Sequence, residues 1–144
     1  MVRPSSVIAS NQREADLGSI KGLRAWRNTV IAEAKGSKGK GGCPLGSLAG
    51  QLAETDPRAR VMIAAGFERW SAAISDGLRK LHAAGGLPAG VDADNLAITL
   101  LAALQGGLLL AQVQRDTRPL ETVVDTLLAL TTGSRRPVSA AARQ

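Results

Sequence analysis

From Leu96 to Val113 the chain reads LAITLLAALQGGLLLAQV, 18 residues without a charge. That length just reaches the lower limit for a bilayer span, so the stretch is either a membrane helix or a helix buried on most of its sides. Thr99, Gln105, Gln112 and the Gly106-Gly107 pair interrupt it. Neither an aromatic belt nor flanking lysines mark a lipid interface. The sequence therefore predicts the central helix of a water-soluble bundle, with no membrane partner. The first 20 residues contain no apolar core of the signal-peptide kind.

The rest of the chain agrees with a helical body. Its 144 residues suit one domain. Alanine and leucine dominate, while the aromatics are limited to Trp26, Phe67 and Trp70, with no tyrosine. A series of stacking platforms for single-stranded nucleic acid and a β-sandwich both need more aromatic or β-branched residues. The expected fold class is all-α, an antiparallel bundle of about five helices.

Cys43 and His82 are the sole cysteine and histidine. One cysteine excludes an internal disulfide, and one of each cannot supply a structural zinc site. A cytoplasmic, reducing location follows as the expectation. His82 lies three residues before Gly85-Gly86, where a surface role near a helix C-terminus suffices. Cys43 reads as a small packed apolar residue, and Asp92 and Asp94 as helix-start acids. No constellation supports catalysis, so the chain is read as a non-enzyme without metal or cofactor.

The formal net charge of +6 is unevenly placed. Residues 1–40 carry a net +5 and residues 135–144 a net +3, whereas residues 41–134 carry −2. A DNA-reading domain shows its basic face on the fold itself. The pattern predicts at most weak, salt-sensitive, sequence-independent DNA binding.

Periodicity divides the chain. A first helix is expected from Asp16 or Ser19 to Ala34, with Leu23, Trp26, Val30 and Ile31 on its apolar stripe. KGSKGKGG, residues 35–42, has four glycines and three lysines and reads as a flexible loop. It lacks the order of a phosphate-binding loop. A short helix follows Pro44, with Leu45, Leu48 and Leu52. Asp56-Pro57 opens a long one, with Val61, Ile63, Phe67, Trp70, Ile74, Leu78 and Leu81 inward, closed by Gly85-Gly86. Asp92 or Asp94 begins the uncharged helix to Val113, and Pro119 opens the last, to Leu130. Residues 1–18 are expected to form a leader, disordered or artificially appended, residues 19–131 the domain, and residues 132–144 a flexible basic tail.

Gln105, in the middle of the uncharged helix, needs hydrogen-bond partners if buried. It either pairs with a neighbouring helix or a second subunit, or orients a ligand in an internal pocket. Ala102, Ala103, Gly106, Gly107 and Ala111 are small residues that let helix backbones approach closely. With the apolar last helix they leave more apolar surface than one small bundle covers, and self-association follows.

The segment GGCPLGSLAGQLAETDPRARVMIAAGFERWSAAISDGLRKLHAAGGLP, with DADNLAITLLAALQGGLLLAQVQRDTRPLETVVDTLLAL after it, resembles the regulatory domain of TetR-family transcriptional repressors. GCPLGSLA and AALQGGLLLA at this separation carry most of the resemblance, and LRAWRNTVIAEA ahead of them also fits. The resemblance implies a helical domain that binds a small, mostly apolar effector and forms a homodimer through its last two long helices. Onto this chain it carries an effector site at Trp26, Met62, Phe67, Trp70, Leu101, Leu104, Gln105 and Leu108. The dimer interface would use Ala103, Gly106, Gly107, Leu110, Val123, Val124, Leu127 and Leu128. The family reads DNA through an N-terminal helix-turn-helix. About 18 residues before the first helix are too few for one, so the expectation is a domain lacking its reader. The alternative is a stand-alone helical dimerisation module without an effector.

Overall fold

The computed structural model describes residues 16–133, which form five helices and no strand among the described residues. They are α1 (Ile20–Gly36), α2 (Pro44–Leu52), α3 (Pro57–Ala83), α4 (Ala93–Gln114) and α5 (Arg118–Thr132). All five helices expected from the sequence are present. The first extends two residues beyond its expected end, because Gly39 N donates to Ala34 O and closes the last turn.

Local chemistry explains the starts. Ser19 Oγ accepts from Gly22 N at 3.0 Å and begins α1. Asp56 accepts from Ala59 N at 3.0 Å ahead of α3, with Pro57 at the first helical position. Asp92 accepts from Asn95 N at 2.8 Å and begins α4. At the other end of α4, Arg115 adopts a left-handed conformation (φ 54°), which reverses the chain into α5 within three residues.

Side-chain contacts give the helices their order. Ser75 Oγ donates to Asp94, and Arg79 pairs with the same carboxylate at 2.8 Å, so the C-terminal half of α3 meets the start of α4. A Cβ on Gly107 would lie 3.0 Å from the Leu120 Cα and 3.0 Å from the Val123 side chain. Helices α4 and α5 therefore cross at glycine, backbone close to side chain. Arg27–Asp125 (2.7 Å) and Lys35–Glu121 (2.9 Å) attach α1 to α5. Leu45 of α2 covers Gly66 of α3.

One core results, with Leu23, Leu78, Leu104, Leu120 and Val124 almost fully enclosed. Burial of each such side chain contributes roughly 1.5–3 kcal/mol. Leu17, in the segment expected to be a leader, belongs to this core at 4% exposure. A Cβ on Gly77 would stand 2.5 Å from that of Leu17, so a glycine on α3 makes room for it. Residues 1–15 of the leader and residues 134–144 of the basic tail lie outside the described residues.

By length and composition α4 could cross a membrane. In the fold it packs between α3 and α5 and buries Ala97, Leu100, Leu101, Leu104, Gly107, Leu108 and Ala111.

Candidate functional site

The glycine-rich segment that the sequence marks as a loop is seated along α4. A Cβ on Gly39 would come within 2.7 Å of Ala111 O, one on Gly42 within 2.5 Å of Gln112 Oε1, and one on Gly46 within 2.6 Å of Gln105 Oε1. Gly39 (φ 74°) and Gly42 (φ 55°) also adopt backbone conformations that side chains disfavour. Three glycines thus meet three α4 positions, and the chain between them runs as a strap. Cys43, the N-cap of α2, is buried under it in the core.

The strap leads into α2, which meets α3 through Leu45 at Gly66 and α4 through Gly46 at Gln105. Trp26 of α1 is 5% exposed, and Leu101, Leu104 and Leu108 of α4 are buried in the same core. Phe67 and Trp70 of α3 pack against that core, partly buried, with ring centroids 6.4 Å apart and planes within 9°. Gln105 points at Gly46, its Nε2 enclosed without a hydrogen-bond partner. The indole nitrogens of Trp26 and Trp70 are in the same condition. Six of the eight residues assigned to an effector site are therefore in or against one core, and Gln105 lies against Gly46.

Met62 is a correction. It is 74% exposed, whereas its neighbour Ile63 is buried. Residues eight apart on an α-helix differ by about 80° in direction, so the spacing of Met62 and Trp70 does not put them on one face.

The assigned interface residues separate by what already covers them. Val124 and Leu128 are buried within the chain, and Gly107 is covered by Leu120 and Val123 of the same chain. For these three the sequence reading is corrected: apolar and small residues were assigned to a partner where the crossing of α4 and α5 uses them internally. Ala103, Val123 and Leu127 are partly buried, and Gly106 and Leu110 are exposed. The structure adds residues that the reading missed. Ile98 (60%), Leu109 (59%) and Val113 (74%) are exposed on the same side of α4 as the assigned Leu110 (46%), and Leu130 (68%) is exposed on α5. The 98–102–106–109–113 spacing is a helical stripe and could have been read directly from the sequence.

The charged groups are structural and peripheral. Arg79 beside Asp94 holds that carboxyl below its ordinary range, helped by the Ser75 hydroxyl. Arg27 is raised by its hydrogen bond to Asp125. No group of three or more potential metal ligands occurs among the described residues. His82 is exposed near the C-terminus of α3, as expected.

A helical bundle with a strap over its central helix and an apolar outer stripe defines the class. The fold is that of TetR transcriptional regulators. The chain superposes on a regulatory protein TetR from Rhodobacter sphaeroides with a TM-score of 0.78, at 21% identity, over 88% of this chain and 69% of that one. A TetR transcriptional regulator from Chloroflexus aurantiacus J-10-FL gives 0.70, at 23% identity, over 87% of this chain and 65% of that one. More narrowly, residues 19–126 match the model of the LmrA/YxaF-like transcriptional regulator C-terminal domain, and the chain belongs to that family. No curated protein matches the chain significantly.

Proposed function

We propose that residues 19–131 are the effector-binding and dimerisation domain of a cytoplasmic TetR-type transcriptional regulator, without catalytic activity. The carrying observation is the division of labour on α4. One side brings Leu101, Leu104, Gln105 and Leu108 to the core beneath the strap, while the other exposes Ile98, Leu109, Leu110 and Val113. A helix that touches both an internal site and a second subunit is suited to couple the two.

The internal site at Trp26, Phe67, Trp70, Leu101, Leu104, Gln105 and Leu108 would hold a small, mostly apolar effector. The outer stripe, with Ala103, Gly106, Val123, Leu127 and Leu130, would meet its symmetry mate in a two-fold homodimer. Control of DNA would pass through a helix-turn-helix unit, since residues 41–134 have a net charge of −2.

Sedimentation equilibrium at tens of micromolar tests the assembly. A species of twice 14.9 kDa is expected, converted to monomer by Leu110→Lys with Val113→Lys. A wild-type monomer overturns the dimer.

A further inference from the structure

Three buried side-chain nitrogens have no hydrogen-bond partner: Trp26 Nε1, Trp70 Nε1 and Gln105 Nε2. All three are donors, and no buried side-chain oxygen among the described residues is left in that state. An enclosed N–H without an acceptor is unfavourable, so native proteins seldom retain one without a reason.

The helix register brings the three to within about two turns of one another along α4. Ser75 and Arg79 meet Asp94 at the start of α4, and Gly39 meets Ala111 near its end. Trp70 precedes Ser75 by more than a turn on antiparallel α3 and so lies further along α4, towards Gln105. Arg27, adjacent to Trp26, pairs with Asp125, while Leu120 and Val123 face Gly107. Trp26 therefore lies level with the turn of α4 that precedes Gly107. That is the turn carrying Gln105.

The surroundings contain no buried charge. Ser75 and Thr131 are the buried polar residues among those described, and each hydroxyl already donates, to Asp94 and to Leu127 O respectively. A carboxylate or ammonium entering this core would lose its hydration without a counter-ion.

We propose that the effector is an uncharged molecule whose polar atoms are hydrogen-bond acceptors, carbonyl or ether oxygens, which receive the N–H groups of Trp26, Trp70 and Gln105. This rests on the effector-site reading and adds the chemistry of the ligand. Four probes on one ring system separate the two ideas by calorimetric titration: 1-acetonaphthone (a neutral ketone), 1-ethylnaphthalene (no acceptor), 1-naphthoate (an anion) and 1-(1-naphthyl)ethylammonium (a cationic donor).

The ketone should bind about tenfold more tightly than the hydrocarbon, and both ions more weakly than either. In Gln105→Leu the ratio of ketone to hydrocarbon affinity should fall to about threefold. Equal binding of ketone and hydrocarbon, or preference for an ion, overturns the acceptor proposal and leaves an apolar effector site standing. Binding of none of the four overturns both. The order of affinities in the wild type decides the question even if the variant is poorly folded.

Discussion

Arg27 and Asp125 form a two-pronged ion pair, with Nε and a terminal guanidinium nitrogen at 2.7 and 2.8 Å from the two carboxylate oxygens. It joins the helix that carries Trp26 to the last helix of the bundle. The side chains remain 27% and 49% exposed, so the pair is screened by solvent and does not dominate stability. A double-mutant cycle of Arg27→Met and Asp125→Asn should give a coupling of about 0.5–1 kcal/mol in urea denaturation, the upper part of the range for exposed pairs because of its geometry. A coupling near zero would show that the pair does not hold α1 to α5.

Gly106 and Gly107 are adjacent but opposite in role. A Cβ on Gly107 would meet Leu120 and Val123 at 3.0 Å, whereas one on Gly106 meets nothing within 4 Å. Gly107→Val should cost about 1–3 kcal/mol in chemical denaturation. Gly106→Ala should leave the isolated subunit as stable or raise it by up to about 1 kcal/mol, through helix propensity. Gly106→Arg should mainly weaken self-association, read by sedimentation. Equal destabilisation by Gly106→Ala and Gly107→Val would contradict the assigned α4–α5 crossing.

The strap is equally specific about its glycines. Gly39→Ala places a methyl against Ala111 O at a left-handed position, so a loss of about 1–3 kcal/mol is expected. Gly41→Ala also has a positive φ but no neighbour within 4 Å, and should be milder. Comparing the two melting temperatures separates the close approach from the backbone conformation.

Asp94 supplies the pH prediction. Arg79, then Ser75, lowers its pKa from the ordinary 3.8 in the folded chain. A carboxylate with a depressed folded pKa contributes stability that is present above its unfolded pKa and lost as pH falls through the folded value. The contribution should therefore be intact at neutral pH and decline below about pH 4. Asp94→Asn should be less stable than wild type at pH 7, with the difference shrinking on acidification. Parallel pH profiles of melting temperature for the two proteins would remove Asp94 from the acid response.

The secondary structure was legible because its causes are local. Asp56-Pro57 and Asp92 carry their caps beside them, and the apolar period of α3 and α4 is written in contiguous residues. The strings GCPLGSLA and AALQGGLLLA likewise carried the family resemblance. The site was legible in part: Trp26, Phe67, Trp70 and Gln105 were singled out, but the unpaired state of three of their nitrogens depends on the packing of three separate helices.

Hydrophobicity alone states that a residue avoids water and does not say which surface covers it. Gly107, Val124 and Leu128 thus passed for interface residues until the α4–α5 crossing buried them internally, and Met62 passed for a site residue until the long helix turned it outward. The strap was beyond sequence reasoning for the same reason. Lysine and glycine in residues 35–42 signal flexibility when read in one dimension. Only the approach of Gly39, Gly42 and Gly46 to Ala111, Gln112 and Gln105 converts that composition into a fixed contact, because steric exclusion between segments distant in sequence exists only once the helices have packed.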